Sequence, residues 1–351
     1  MKDAQAAPGW IDALLRAMRG RHIGVVGDIM LDEWYWGTVR RISPEAPVPV
    51  VEVQDHTYTL GGAGNVANNL AALGASVHMF GVIGDDEAGQ RVMRLLRDLK
   101  VDTAGVVSVP HRPTTQKMRI VAHNQQVVRA DREATATVDG NAARQIQRRL
   151  AALDGRLDAV VISDYGKGLI TRALVSAVRG YEKKAIITAD PKPYNIDAFK
   201  DVDCIAPNAA EAEAASNISV RTEAGLAAAA KALAKRTGAR YVLITRGEHG
   251  MTLFARGKKP FSVPAVARQV YDVSGAGDTV MSTLTLALAV GAPIDRAVSL
   301  ANYAAGVVVE KLGTATASAA EIARFARNAA SRANAGGSDH RVRDGRHART
   351  R

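Results

Sequence analysis

The segment 272–279, DVSGAGDT, has the residue types expected at a site of phosphoryl transfer. It leads directly into the apolar run 279–290, which is typical of a buried helix. Small residues let the backbone approach a ligand, and a helix N-terminus offers unpaired N–H groups and partial positive charge to a phosphate. Asp278 falls in the first turn, where its carboxylate can accept the proton of an attacking hydroxyl. A helix cap after a glycine turn is the structural alternative.

A second glycine-rich segment, GGAGNVA at 61–67, also opens a predicted helix. It lacks the Gly-Lys-Ser/Thr ending of a Walker A loop, and it is not a GxGxxG turn after the first strand. The amides of Gly61 and Gly62 and the side chain of Asn65 are suited instead to sugar hydroxyls. Glycine-rich turns before helices are common, so a simple connection explains the segment equally well.

Two further segments are candidates for a nucleotide side of the site. Asn208 and Glu211 match a capping box, which explains the pair fully, although a carboxylate there can also bind Mg²⁺ through water. The segment TRGEHG, 245–250, ends a predicted strand in a glycine-bearing turn. A plain hairpin accounts for it, and a nucleotide phosphate resting on its amides is the functional alternative.

Short apolar runs alternate with amphipathic stretches along most of the chain, which predicts a parallel sheet with helices on both faces. The predicted buried strands are 23–27, 77–83, 159–163, 185–189, 204–207 and 241–245. The predicted helices are 65–73, 88–99, 141–153, 172–178 and 223–236. The motifs therefore lie where strands end and helices begin.

Two regions, 34–60 and 114–130, depart from this alternation because their residues are alternating or β-branched with no helix between them. We expect them to form a small antiparallel sheet that projects from the main domain, 11–330, as a lid. The remaining segment, 331–351, is basic: its last fifteen residues include five Arg against two Asp and show no apolar periodicity. This tail is expected to be disordered.

The composition is that of a globular protein, with 47% hydrophobic and 23% charged residues. The single cysteine, Cys204, excludes an internal disulfide. There is no signal-peptide-like apolar segment at the N-terminus, and the run 279–290 is too short to span a bilayer. The net charge of +11 comes partly from the tail. Because the sequence has no basic helix with interleaved aromatic residues, this charge favours anionic small substrates over nucleic acid. We expect a cytoplasmic protein without nucleic-acid or membrane partners.

The segments GGAGNVANNLAALG (61–74) and DVSGAGDT, in this order and at this separation, resemble the two motifs of the ribokinase/PfkB family of carbohydrate kinases. The resemblance covers about 23–327. The two motifs together are highly specific for this family, although either motif by itself would not be. It implies a ribokinase-like α/β domain with a β-sheet lid that often pairs with a second lid in a homodimer. It also implies transfer of the γ-phosphate of ATP to a sugar hydroxyl with Mg²⁺, and it leaves a monovalent cation open.

The resemblance assigns roles to the motif positions. Asp278 corresponds to the catalytic base, and the amides of Gly275, Ala276 and Gly277 correspond to the anion hole. The positions implied for the sugar are Asp28, Asp32, Gly61, Gly62, Asn65 and Asp190. The positions implied for the nucleotide are Asn208, Glu211, Thr245, Gly247, Asp272, Ser274 and Asn302, with Glu211 also holding Mg²⁺ through water. Ser274 stands where the family more often has Thr, and it keeps the hydroxyl.

Six further segments resemble the members of this family that phosphorylate D-glycero-β-D-manno-heptose 7-phosphate at O1, a step towards the lipopolysaccharide inner core. These segments are 27–37, 40–53, 123–133, 163–169, 190–193 and 245–251. Such kinases also occur joined to a cytidylyltransferase, and because the HxGH motif of that domain is absent we expect the single-function form.

A substrate with a distal phosphate requires a cationic side chain to recognise it. The candidates are Lys117, Arg119, Arg129, Lys167 and Lys192. A solvated role that protects a strand edge is the alternative for each of them. The alternative activities are those of another kinase of the family, acting on fructose, ribose or adenosine, and of a non-catalytic sugar- or nucleotide-binding regulator.

Overall fold

The computed structural model describes residues 9–339 apart from 124, 154 and 268, and its largest element in that range is a nine-stranded sheet. Its strands are β1 (His22–Gly27), β4 (Ser76–Gly84), β5 (Asp102–Val109), β8 (Ala159–Ser163), β9 (Ile186–Asp190), β10 (Cys204–Ile205), β11 (Tyr241–Thr245), β12 (Met251–Ala255) and β13 (Phe261–Val263). They are ordered β13-β12-β11-β10-β9-β8-β1-β4-β5, and the strands from β11 to β5 are parallel. Strands β12 and β13 extend the sheet antiparallel at one edge.

The central strands are continuous apolar runs because both of their faces are covered. Every residue of β8 is buried, as is β1 from Ile23 onwards. Ile23 lies opposite Ala159 of β8 and Val77 of β4, which fixes the parallel register at the centre of the sheet. The predicted α/β architecture with a mostly parallel sheet is confirmed.

Helices cover the two faces of the sheet and form a separate apolar core with each. One face carries α1 (Gly9–Ala17), α2 (Ala63–Ala72), α3 (Glu87–Asp98), α8 (Ala276–Ala289), α9 (Ile294–Val308) and α10 (Ala319–Asp339). The other carries α4 (Gly140–Ala151), α5 (Arg172–Tyr181), α6 (Ala209–Ser216) and α7 (Glu223–Thr237). Helix α8 is buried from Asp278 to Leu288, in keeping with its mostly apolar and small residues, and it lies against β8 and β9.

The lid is a second sheet made of four strands within the described residues, ordered β3-β2-β6-β7. They are β2 (Ile29–Ile42), β3 (Pro49–Gly62), β6 (Thr115–Ala122) and β7 (Gln125–Arg132), so the sheet extends beyond the predicted regions. The expectation of an antiparallel sheet is wrong for the middle pair, because β2 and β6 are parallel. The parallel direction of these two strands follows from the chain path, because β2 comes after β1 and β6 after β5, so both enter the lid from the same edge of the main sheet.

The described chain also contains elements that we did not predict from the apolar runs, among them β5 and helices α1, α9 and α10. Helix α10 continues to Asp339, so the predicted tail begins inside a helix, and the rest of that prediction, 340–351, lies outside the described residues. None of the helices in the described part of the chain has the length and hydropathy required to cross a membrane.

Candidate active site

Five parts of the predicted site lie at the ends of five neighbouring parallel strands. Asp28 follows β1, the segment 164–168 follows β8, Asp190 ends β9, Asn208 follows β10 and Thr245 ends β11. The carboxyl ends of parallel strands share one edge of a sheet, so the sequence places all five at the same edge. Helix α8 begins over this edge, and the lid rises from it because β2 continues almost directly from β1.

Asp278 is the central residue of the site. It lies in the first turn of α8, is 7% exposed, and accepts two hydrogen bonds, one on each carboxylate oxygen. Asn65 Nδ2 donates to Oδ2 at 2.7 Å, and the Tyr165 hydroxyl donates to Oδ1 at 2.7 Å. The structure thus brings the two glycine-rich motifs together through the Asn65–Asp278 contact.

The surroundings of Asp278 poise its carboxylate for proton transfer. Burial raises the pKa of Asp278 to about 6, against the opposing effect of the hydrogen bonds from Asn65 and Tyr165. A base is most effective when its pKa lies near the working pH and it is still mainly ionised there. At neutral pH Asp278 meets both conditions.

Polar contacts between α2 and α8 fix the position of Asn65. Thr279 Oγ1 donates to Asn69 Oδ1 at 2.8 Å, and Asn69 Nδ2 donates to the Asn65 carbonyl at 2.9 Å. One turn further along, Ser282 Oγ donates to the Val66 carbonyl at 3.2 Å. All of these side chains are buried, so the contacts connect the two motifs rigidly.

The turn before α8 requires glycine at Gly275. This residue has φ 76°, and a Cβ there would lie 2.7 Å from Asn65 Nδ2. The loop is held by Asp272, whose carboxylate accepts from the amides of Ser274 at 2.8 Å and Gly313 at 3.0 Å. Burial opposes ionisation, but these hydrogen bonds outweigh it and lower the pKa of Asp272.

The amides at the start of α8 are only partly available for an anion. The Ala276 amide donates to the Val273 carbonyl at 3.2 Å, so it is engaged within the turn. Gly277 has open space where a Cβ would be, which leaves the backbone there accessible to a ligand. With Gly275, Gly277 is the better placed of the predicted anion-hole positions, because first-turn amides have no partner within the helix.

Asp28 is buried, and it holds the loop after β8 in place. Its Oδ2 accepts from the amides of Tyr165 at 2.8 Å and Lys167 at 3.1 Å, whereas Oδ1 has no hydrogen-bond partner among the described residues. Burial raises the pKa of Asp28, and hydrogen bonds from backbone amides, those of Lys167 and Tyr165 foremost, oppose this. Oδ1 is thus a buried acceptor that holds no hydrogen bond among the described residues.

Asp32, at the base of the lid, is buried and pairs with Arg119 Nη1 at 2.9 Å. The guanidinium of Arg119 also lies 4.7 Å from the centre of the Trp34 ring. Gly61 and Gly62 are required by this packing: a Cβ would lie 2.6 Å from Asp32 Oδ2 in the first case and 2.5 Å from the Asp28 carbonyl oxygen in the second.

An open cleft of about 700 Å³ lies between the lid and the loops around the start of α8. Trp34, Arg119, Asp272 and Ser274 are among the residues that line it. Its size suits a small molecule. Arg119 connects it to Asp32, and Ser274 connects it to the turn before α8.

Three of the predicted cationic residues gather around two carboxylates at the end of the lid. Lys117 Nζ lies 3.0 Å from Asp131 and 3.8 Å from Glu133 Oε2, and Lys167 Nζ lies 2.7 Å from the same Glu133 oxygen. Arg129 pairs with Asp131 at 3.0 Å but is half exposed. The simple expectation of solvated edge residues does not describe Lys117 and Lys167, because their side chains are only 18% and 14% exposed.

Lys192 lies beside Glu211, one of the residues predicted for the nucleotide, and not within this cationic group. Its Nζ pairs with Glu211 Oε1 at 2.6 Å and lies 5.3 Å from the centre of the Tyr165 ring. Glu211 also forms the predicted capping box with Asn208, since each side chain accepts from the other's amide. Burial first, then the charge of Glu211, raises the pKa of Asp190 well above its usual range.

The other predicted nucleotide-side residues extend this region towards β13. Thr245 bridges to Asn208, and β11 and β12 form the hairpin that the sequence allowed. Gly247 has φ 55° in the connecting turn and faces open space. Asn302, on α9, donates to the Pro264 carbonyl at 2.8 Å, so its amide nitrogen supports the loop after β13.

Sequence reasoning missed two residues of the site. Tyr165 contacts Asp278 directly, and Arg112 donates to the carbonyls of Ala134, Ala136 and Lys167, which fixes the loop that carries Tyr165. Tyr165 lies within the segment 163–169 singled out by resemblance, which was the available signal. For Arg112 no local pattern indicated a role.

The sequence matches the pfkB family of carbohydrate kinases over residues 21–321. It is 48% identical over 300 residues to the bifunctional protein HldE of Desulfatibacillum aliphaticivorans, an alignment that covers 85% of this chain and 61% of that protein. It is 41% identical over 314 residues to the protein of the same name from Pelobacter propionicus, covering 89% and 64%. The chain thus spans less than two thirds of the length of these curated relatives.

The fold is similar to that of solved sugar kinases. Arabidopsis thaliana ribokinase complexed with ribose and ATP superposes with a TM-score of 0.69 at 18% identity, covering 88% of this chain and 99% of that one. Escherichia coli phosphofructokinase-2 in complex with potassium superposes with a TM-score of 0.74 at 20% identity and the same coverage. At these identities the similarity establishes the ribokinase-like fold alone.

Proposed function

This chain belongs to the pfkB family of carbohydrate kinases, and we propose that it phosphorylates D-glycero-β-D-manno-heptose 7-phosphate at O1 with ATP, giving the 1,7-bisphosphate. The observation that carries the catalytic part is the buried Asp278 carboxylate, with a raised pKa, at the start of a helix. The resemblance of the segments 40–53 and 163–169 supports the heptose as substrate. In the cell this reaction would serve the synthesis of lipopolysaccharide precursors.

The reaction is an in-line transfer. Asp278 accepts the proton of the sugar O1 hydroxyl as O1 attacks the γ-phosphorus, and the bond from that phosphorus to the bridging oxygen of ADP breaks. The amides at the start of α8, Gly275 and Gly277 foremost, face the charge on the transferring group, since a helix N-terminus favours anions. Closure of the lid over the cleft excludes water, which would otherwise compete as acceptor.

The carboxylates on the nucleotide side fit Mg²⁺ in the manner usual for kinases. Mg²⁺ keeps several waters and is held by one or two carboxylates together with substrate phosphates. Glu211 and Asp190 are close enough for the charge of Glu211 to raise the pKa of Asp190, so both carboxyl groups would lie near a cation bound here, and Lys192 already pairs with Glu211. When bound, Mg²⁺ neutralises phosphate charge; Glu211 would hold it through water.

The distal phosphate of the sugar is proposed to bind between Lys117 and Lys167. The two ammonium groups converge on one oxygen, Glu133 Oε2, so an anion at that point is already favoured by the structure. A phosphate with its greater charge can replace this carboxylate, and Glu133 lies at the end of the lid, where a small movement would release it. Arg119 is committed to Asp32 and serves the sugar ring.

The test is product identification. The full chain is incubated with ATP, Mg²⁺ and each of a panel of sugar 7-, 6- and 1-phosphates together with fructose, ribose and adenosine, and the products are identified by mass spectrometry and ³¹P NMR. The heptose 7-phosphate should give the 1,7-bisphosphate with the highest kcat/KM of the panel. A higher kcat/KM for fructose, ribose or adenosine would overturn the proposed substrate but leave the family unchanged. If none of the acceptors gave an ATP-dependent product, the proposed activity itself would be overturned.

A further inference from the structure

The Tyr165 hydroxyl is a permanent hydrogen-bond donor to Asp278. It lies 2.7 Å from Oδ1, on the oxygen that Asn65 does not occupy. Burial and then the charge of Asp278 hold the pKa of Tyr165 well above its usual range, so the hydroxyl keeps its proton throughout the physiological pH range. A carboxylate oxygen can accept about two hydrogen bonds, so the sugar hydroxyl can still approach Asp278 without displacing Tyr165.

The loop that carries Tyr165 is fixed by several hydrogen bonds. Asp28 accepts from the amides of Tyr165 and Lys167, and the Arg112 guanidinium donates to the Lys167 carbonyl. Asp164 accepts from the Gly166 amide at 2.8 Å. Asp28 and Arg112 come from distant parts of the chain and Asp164 from the loop itself, and together they hold the Tyr165 ring in a defined place.

The ring of Tyr165 also lies beside the ammonium group of Lys192. Lys192 Nζ is 5.3 Å from the ring centre and forms its ion pair with Glu211, 2.6 Å away, rather than with Asp278. An ammonium group directly on the Asp278 carboxylate would stabilise its charge and make it a weaker base. Lys192 therefore lowers the pKa of Asp278 through its charge from a position on Glu211, without being the ion-pair partner of the base.

We propose that Tyr165 is the positioning residue of the catalytic base: its hydroxyl holds Asp278 Oδ1 in orientation, and the anchored loop holds the Tyr165 ring in place for this contact. This rests on the proposed function, since it takes Asp278 to be the base. Tyr165 acts through Asp278 and does not itself exchange a proton with the substrate.

The proposal predicts a change in pH dependence that a purely structural role would not cause. Besides Asn65 and Tyr165, the charged or titratable groups that act on Asp278 or respond to it are Asp32 on β2, Asp190 at the end of β9 and Lys192 in the following loop. Removal of the Tyr165 hydroxyl deletes an interaction that lowers the pKa of Asp278, while the other groups stay in place. The acidic limb of kcat/KM should therefore move to higher pH.

The test compares Tyr165→Phe with Tyr194→Phe in the full chain. Tyr194 packs against the same loop at Gly166 but makes no hydrogen bond to Asp278, so it is a matched loss of a hydroxyl. Tyr165→Phe should lower kcat by about 10- to 100-fold, leave the sugar KM within about threefold, and raise the midpoint of the acidic limb by about half to one pH unit. Tyr194→Phe should match the wild type in all three. Tyr165→Leu, which also loses the ring, should lose more turnover than Tyr165→Phe.

A direct titration separates this proposal from the proposed function. The carboxyl ¹³C signal of Asp278, assigned by its loss in Asp278→Asn, is followed against pH in the free protein without any substrate. Its midpoint should rise in Tyr165→Phe and stay unchanged in Tyr194→Phe. An unchanged midpoint in Tyr165→Phe would overturn the positioning role whatever the enzyme phosphorylates. A raised midpoint in a protein that phosphorylates no sugar would support the contact while overturning the proposed function.

Discussion

The edge of the main sheet and the lid approach the same cleft from two sides, but they are built from different interactions. Around Asp278 the polar groups are buried, and the partners of the carboxylate are neutral: an amide and a hydroxyl. On the lid every residue of β7 is exposed, and the polar contacts around it are ion pairs, such as Lys117 with Asp131.

This difference separates chemistry from recognition. A neutral hydrogen-bond donor orients a buried base without forming an ion pair with it, whereas a cation at the same distance would favour its charged form far more strongly. Cations paired with carboxylates, by contrast, are suited to a site that must exchange one anion for another. The base is therefore held by fixed contacts, and the proposed phosphate site by replaceable ones.

The largest effect is expected from Asp278→Asn. Asn keeps the size of the side chain, but it cannot accept the proton of the sugar hydroxyl, so kcat should fall by about 10²- to 10⁴-fold in steady-state assays. In the wild type the activity should decline as the pH falls through about 6, because Asp278 becomes protonated there. A folded variant with nearly normal kcat would show that the buried edge of the sheet is structural and not catalytic.

A smaller effect is expected from the lid. Lys167→Gln removes one of the two ammonium groups at the proposed phosphate site, so the KM for the heptose 7-phosphate should rise by about tenfold or more while the KM for ATP stays unchanged. Arg129→Gln is the matched control, because Arg129 is half exposed and pairs with Asp131 alone. Equal KM values of the two variants for the heptose 7-phosphate would show that its phosphate does not bind between Lys117 and Lys167.

The sequence predicted the parts of this comparison that depend on local pattern. Short apolar runs such as that of β8 identified the central strands, and the glycine turn before an apolar helix identified Asp278 as the candidate base. Contacts between distant segments could not be predicted in this way. Tyr165 reaches Asp278, and Arg119 reaches Asp32, only because the topology brings separate strand ends together. The parallel pairing of β2 with β6 is likewise a long-range property.

The stability of Asp278→Asn should change in the opposite direction from its activity. The pKa of Asp278 is about 6 in the folded protein and near 3.8 in the unfolded chain, so the folded state binds more protons between these values. Stability from this group therefore falls as the pH rises through that window and stays low above it. At pH 8 the variant should be more stable by about 1 to 3 kcal/mol in urea denaturation, since Asn carries no charge to bury.

The control for this gain is the pH at which it disappears. Near pH 4 wild-type Asp278 is protonated in the folded state, so the two proteins should differ little in their free energies of unfolding. A variant that is less stable than the wild type at pH 8 would mean that weakening the hydrogen bonds from Asn65 and Tyr165 costs more free energy than is gained by removing the buried charge.

The smallest effect on turnover is expected from the outer part of the lid, although it should decide the state of association. Ile42, Val48 and Val53 are 62%, 51% and 51% exposed in the single chain, and an exposed apolar face on a sheet invites a second copy. We expect a homodimer through the lids at micromolar concentration, and Val53→Lys should convert it to a monomer in light scattering. Gln54→Lys adds the same charge at the neighbouring exposed position and should leave the dimer intact.

The activity of the monomeric variant should change little, because Asp278, Asn65 and Tyr165 all belong to one chain. Its kcat should stay within about threefold of the wild type, and the main change should be a higher sugar KM caused by a less ordered lid. A wild-type monomer with full activity would contradict the dimer, and a collapse of kcat in the Val53→Lys monomer would show that the lid is part of the catalytic machinery.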